Sequence, residues 1–314
     1  MFCRHAPFPA WPLPAALAAT AAAGLVCASP GTAAEAPATA SAADTWVLNL
    51  NIENDLLGGS DEYYTSGLQV TGVSPDLRTD SGEVPGWVRP FVEIGPFSDR
   101  KDTLYRAQIS LTNEIYTDSS VLNDYDPNQR PMAGWLHLDL GLTAANDHRR
   151  DALELSLGTT GNPSLGEFAQ NVIHEVLNNP EPEGWEDQLR AEPTLQLTWM
   201  RSWHWRKNYA SGWAADFIPR LAGTVGNVHI NIEGGADARF GWGLPYDYGR
   251  SRIRQAGTHA VPFKPADGGQ KPPGRVAVFG ILGAESRLVA RNLFLDGNTF
   301  DGDPGVGRKR LVTE

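Results

Sequence analysis

Apolar and polar side chains alternate one for one along much of this chain. Trp46, Leu48, Leu50 and Ile52 share one face of an extended segment, and Asn49, Asn51 and Glu53 share the other. Leu136, Leu138, Leu140 and Leu142 alternate with His137, Asp139 and Gly141. Leu153, Leu155 and Leu157 alternate with Glu154, Ser156 and Gly158, and Leu195, Leu197 and Trp199 with Gln196 and Thr198. Ile230 and Ile232 oppose His229, Asn231 and Glu233; further on, Ala236, Ala238 and Phe240 oppose Asp237 and Arg239. A soluble sandwich also alternates. Here the apolar face is almost purely aliphatic, and the other repeatedly carries His, Asp, Glu and Asn. That contrast predicts an all-β, antiparallel transmembrane β-barrel with lipid outside and a polar interior. Trp135, Trp199, Trp203, Trp205, Trp213 and Trp242 fall near strand ends, where interface girdles lie. The pattern accounts for about ten strands of the kind such barrels use.

Long polar connections separate the strands, among them Asp76 to Trp87, Thr117 to Pro131 and Gly249 to Pro273, as in extracellular loops. One connection is different. Residues 164–177 read as a helix, with Ser164 and Glu167 as a capping box and Phe168, Val172, Ile173, Val176 and Leu177 as an apolar stripe. Asn178, Asn179 and Pro180 stop it.

Residues 1–34 read as a secretory signal: Arg4 and His5, an apolar run from Ala15 to Val26, then small residues to Ala34. A lipoprotein reading around Cys27 is weaker, because Gly24-Leu25-Val26 matches that signal poorly. An Ala/Pro/Ser/Thr-rich linker occupies 35–44, and the barrel domain 45–314. Both cysteines, Cys3 and Cys27, lie in the leader, so the exported chain is expected to hold no disulfide and no thiolate metal. Asp+Glu 37 against Lys+Arg 26 gives a formal charge of −11, which argues against nucleic acid as partner.

Candidate chemistry sits in three places. Glu53-Asn54-Asp55 ends the first strand with oxygen donors suited to a hard cation. Asp61 to Gly67 opens the second strand, with Thr65 and Ser66 as hydroxyl donors toward an oxyanion. Gln170 and His174 stand four apart on the helix and so share a face, which suits a positioned general base. For each, the bland alternative is a polar strand end, a capped turn or a surface His. No Gly-x-Ser-x-Gly is present, and His174-Glu175 lacks the second His of a zinc protease helix.

Taken together, these segments resemble the outer-membrane lipid A 3′-O-deacylase family of the LpxR type. The resemblance rests on Asn54-Asp55, Tyr64-Thr65-Ser66-Gly67, Gln170 and His174, Trp185 and Gln188, and Asp126 to Trp135, with Gly226-Asn227 and Asn298-Thr299-Phe300 in support. It implies a barrel of about twelve strands and a site between the wall and an extracellular helix. It further implies an ester hydrolase that removes the 3′-linked acyloxyacyl group from lipid A in the bacterial outer membrane. His174 would activate water, and Gln170 would position that His or the substrate. Asn54 and Thr65 would be catalytic, and Asp55 with Asn54 would hold Ca²⁺. Two departures stand out. The Lys that some family members carry after the third strand has no counterpart, Arg130 being the only basic residue in Thr117 to Arg130. The sequence stops at Arg308 to Glu314, where the family continues into two more strands, so a C-terminal pair is expected to be missing. The competing readings are a non-enzymatic barrel, either a small pore or an adhesion protein, and a phospholipase using Ser60 or Ser66. Oligomeric state is left open.

Overall fold

The alternating segments form the strands that the pattern predicts. The computed structural model describes residues 45–54, 66–77, 103–117, 130–177, 184–250, 252–253, 256, 276–301, 305–306 and 310–313. The strands are β1 (Val47–Asn54), β2 (Ser66–Val73), β3 (Leu104–Tyr116), β4 (Ala133–Ala145), β5 (Arg149–Thr160) and β6 (Pro193–Trp203), followed by β7 (Trp205–Asn208), β8 (Trp213–Gly226), β9 (His229–Trp242), β10 (Val278–Asn292) and β11 (Leu311–Thr313). Helix α1 (Gly166–Leu177) lies between β5 and β6, and the short α2 (Leu293–Asp296) follows β10. Every strand pairing is antiparallel, in one sheet of 11 strands that follows chain order. β6 and β7 pair with the same strand, β8, in a single register (Ser202↔Arg220, Trp205↔Phe217), so they occupy one place in the ladder. Among the described residues no pairing joins β1 to β10 or β11. No described helix is long and apolar enough to cross a membrane. The strands β3, β4, β8, β9 and β10, at 13 to 15 residues, are.

Burial is inverted relative to a water-soluble protein. Leu48, Leu50, Ile52, Leu68, Val70, Ile109, Leu111, Leu138, Leu140, Leu195, Leu197, Phe217, Ile232, Phe240 and Leu282 are exposed. Their strand neighbours Gln69, Thr112, Glu114, His137, Asp139, Asp216, Arg239 and Glu285 are buried. The buried polar groups partner one another, as burial of charge requires. One chain of hydrogen bonds crosses the first four strands. Asn51 Nδ2 donates to Gln69 Oε1 (3.0 Å), Gln69 Nε2 to Thr112 Oγ1 (3.1 Å) and Thr112 Oγ1 to Asp139 Oδ2 (2.9 Å). His137 continues it, with Nδ1 2.7 Å from Asp139 and Nε2 3.3 Å from Glu114. A second network is ionic: Arg220 meets Asp237 (3.1 Å) and Glu285 (2.9 Å), and Arg239 binds both Asp216 and Asp247.

The segment after β9 turns into this interior. Leu244, Tyr248, Ile253 and Ala256 are buried. Ile253 N donates to Glu53 of β1 (2.9 Å), Arg252 approaches Glu285 of β10 (3.7 Å), and Arg150 of β5 donates to Ala256 O (3.3 Å). One short stretch therefore touches the first strand, the fifth and the tenth, so the sheet curls around it.

Two expectations need correction. Trp135 is not at an interface. It stands at an inward position, stacked on His137 with centroids 3.8 Å apart. Trp205 and Trp213 are exposed at the end opposite α1, near Trp203 and Trp242, as a girdle would be. The long connections also do not share one end. Antiparallel order puts the β3–β4 connection at the α1 end, and the β2–β3 and β9–β10 connections at the other. Loop length says nothing about which end a loop occupies; strand parity decides it.

Arg239→Leu should destabilise the fold by about 3–5 kcal/mol, because it removes the guanidinium that Asp216 and Asp247 share, leaving Asp216 with only His204 and Arg206 and Asp247 with the Gly249 N–H. A urea unfolding midpoint in lipid vesicles equal to that of the wild type would contradict this.

Candidate active site

The chain reaches α1 through an abrupt turn. Asn162–Ser164 form one turn of 3₁₀ helix, and Leu165 then takes a left-handed conformation with φ 59°. That break moves the helix start from the expected Ser164 to Gly166. Ser164 Oγ donates to Gly161 O (2.6 Å) and accepts from Gly166 N (3.4 Å).

α1 is seated on the outside of the wall. In β3 the even positions (Thr112, Glu114) face the interior, and in β4 the odd ones do (His137, Asp139). Asn113, Ile115 and Gly134 therefore belong to the outer face. Asn113 Nδ2 donates to Ser164 O (2.6 Å). A Cβ on Gly134 would lie 2.2 Å from Ser164 Oγ and 2.8 Å from Gly166 Cα, so this seat requires glycine. Ile115, Met132 and Trp185 form a buried cluster against which Ala169 packs.

Of the apolar stripe, Ile173 lies on the inward side of α1 with Gly166, Ala169 and Gln170, whereas Phe168 and Val172 are exposed. Val176, Leu177 and the stop residues Asn178 to Pro180 have side chains or positions outside the described residues. Gln170 is 1% exposed. Its Oε1 accepts from Trp185 Nε1 (2.8 Å), which fixes the amide's orientation and leaves Nε2 a buried donor with no partner. Trp185 is held in turn by its own 3₁₀ turn, which follows Gly184 at φ 97°. Gln188 closes that turn, donating to Trp185 O (3.0 Å) and Asn162 Oδ1 (2.6 Å). His174 stands half-buried one helical turn beyond Gln170.

The opposing half is set by register. Asn54 pairs with Ser66, Ser66 with Ile115 and Ile115 with Gly134, so these four form one rung along the rim. Three strand spacings separate Asn54 from Gly134, ~14 Å. α1 rises over Gly166 to His174 by ~12 Å. It lies against β3 as well as β4. Asn54 ends β1 at the next even position after the exposed Leu50 and Ile52. Ser66 is buried on the same rung, and Ser60 lies outside the described residues. Asp55 and Thr65 also lie outside the described residues. Among the described residues no group of three or more His, Cys, Asp or Glu side chains could hold a metal.

The roles of three residues escaped sequence reasoning. Gly134 lay in the Asp126 to Trp135 motif, which gave no sign that a helix start would press against it. Trp185 was visible as a Trp-x-x-Gln spacing, but its bond to Gln170 was not. Glu192 had no signal at all. Its carboxylate accepts from Asn227 Nδ2 (3.0 Å), Asn298 Nδ2 (3.1 Å), Thr299 N (2.7 Å) and Thr299 Oγ1 (2.9 Å). Asn227, Asn298 and Thr299 thus tie rim connections together. Gly134→Ala should push α1 off the wall and leave the sheet intact. Limited proteolysis is then expected to cut within 161–177 at unchanged barrel heat resistance; an unaltered cleavage pattern would refute the seat.

Comparison with known proteins agrees with this architecture. A search of curated proteins gave no match. Among solved structures, LpxR from Salmonella typhimurium matches with a TM-score of 0.56 at 18% identity, over 82% of this chain and 79% of that one. At that identity the likeness speaks for the fold. A family model described as outer membrane protein LpxR matches residues 18–314, nearly the whole sequence. With the inverted burial and the helix seated on the outer wall, that match establishes that the chain belongs to the LpxR family of outer-membrane proteins.

Proposed function

We propose that this chain is a Ca²⁺-dependent ester hydrolase that removes the 3′-linked acyloxyacyl group from lipid A. One observation carries the reading: α1 lies on the outer face of the wall, so the helix that bears Gln170 and His174 borders the leaflet and not the lumen. A lipid reaches such a helix without leaving the membrane. The pore reading finds no support in an interior crossed by buried ion pairs and holding the buried side chains of Tyr248 and Ile253.

In this reading His174 takes a proton from water as the water oxygen attacks the ester carbonyl. As the tetrahedral intermediate collapses and its bond to the sugar oxygen breaks, the same imidazolium gives that proton to the departing sugar oxygen, which leaves as a hydroxyl. No covalent acyl-enzyme forms, and no serine is required. Gln170 Nε2, a buried donor already aimed by Trp185, hydrogen-bonds the carbonyl oxygen as negative charge develops there. Asn54 and Thr65 supply further polar contacts from the opening hairpin. Asn54 and Asp55 offer an amide and a carboxylate oxygen, hard donors of the kind Ca²⁺ takes, and would hold that ion at the rim. Bound there, the ion would polarise the ester carbonyl as a Lewis acid.

Expression of the full chain should remove the 3′ acyloxyacyl mass from lipid A. His174→Ala should abolish this while the protein still assembles in the outer membrane, a loss of at least the roughly 10²–10⁴-fold that a general base contributes. Unchanged lipid A from an assembled wild-type protein would sink the proposal, as would full activity in His174→Ala. Chelation of Ca²⁺ in isolated membranes should stop acyl release, and added Ca²⁺ but not Mg²⁺ should restore it. Activity that persists in chelator would remove the metal from the scheme.

A further inference from the structure

α1 has a second surface that the proposed chemistry does not use. Leu165 just before it is 54% exposed, Phe168 66% and Val172 42%. At about 100° per residue Phe168 and Val172 point within about 40° of each other on the helix. Glu167, Asn171 and Glu175 fall in the neighbouring sector, and both glutamates are exposed. The outward half of the helix is thus divided lengthwise into an apolar strip and an acidic and amide strip. A helix divided in this way suits the boundary between water and lipid, with each strip in its own medium.

Its position supplies the occupant. No described segment covers the apolar strip. The helix is seated through Asn113 and Gly134 on the outer face of β3 and β4. Along those strands the same face continues as Ile109, Leu111, Leu138 and Leu140, all exposed and all on the lipid-facing wall of an outer-membrane protein. The strip is therefore contiguous with a surface already assigned to acyl chains. We propose that Leu165, Phe168 and Val172 insert among the acyl chains of the outer leaflet, with Glu167 and Glu175 in the aqueous headgroup region. The helix would then float at the depth of the ester linkages it borders. This inference rests on the outer-membrane placement and is independent of the hydrolytic reading.

Nitroxide labelling tests it. Cys3→Ser and Cys27→Ser remove the native thiols, and Phe168→Cys, Val172→Cys, Glu167→Cys and Glu175→Cys are made singly in the full chain. The labelled proteins are reconstituted in phosphatidylcholine vesicles. Collisions with oxygen, which partitions into acyl chains, are compared with collisions with a water-soluble nickel chelate. The oxygen-to-nickel ratio should be several-fold higher at 168 and 172 than at 167 and 175. Equal ratios at the four sites would overturn the proposal. So would dipolar broadening between labels at 168, which would assign the strip to a second copy of the chain. Phe168→Trp gives an independent reading: brominated acyl chains should quench its added fluorescence, and quenching by aqueous iodide alone would overturn the insertion. None of these measurements uses acyl release, so they can fail while the proposed activity stands, and the reverse.

Discussion

Everything in this molecule follows from the period-two alternation of a strand whose two sides meet different media. A wall with lipid outside must present aliphatic side chains outward and satisfy every backbone group within its own ladder. Polar side chains can then only point inward, where each must find a partner. The Asn51 to Glu114 hydrogen-bond chain and the Arg220 and Arg239 ion pairs answer that requirement. The stability of the wall and the chemistry of its interior are two consequences of one pattern.

That interior is scaffold. Asp–His–Glu contacts such as those of His137 resemble a catalytic relay when read in isolation. Here the ring is stacked on Trp135 and held from both sides in a wall. With Tyr248, Ile253 and Ala256 folded in, the interior is a braced polar core. A rigid wall of this kind suits a site assembled on its outer rim, because groups on separate strands keep their spacing without loop support.

The rim itself depends on close approach. Gly134 lets α1 touch the wall, Asn113 ties the turn before it, and Trp185 both packs beneath the helix and orients Gln170. Glu192 gathers three connections that would otherwise move independently. Groups with no chemistry of their own thus determine how precisely Gln170 and His174 can be presented.

Local pattern was enough to place β1, β4, β5, β6 and β9, their outward Leu and Ile positions, the inward His, Asp and Arg, and a helix bearing Gln170 and His174. These are local properties: a period of two or 3.6, and a spacing of four. It misjudged what depends on the third dimension. Trp135 was read as an interface residue, and the apolar stripe of the helix carried no sign of which side Phe168 and Val172 would face. The helix start was misplaced by two residues, because a left-handed Leu165 has no signature in composition. Only the folded molecule sets the helix outside the wall, aims the Gln170 amide by way of Trp185, and buries Tyr248, Ile253 and Ala256 in the interior. Each of these depends on which distant residues come into contact, and a one-dimensional pattern carries no record of that.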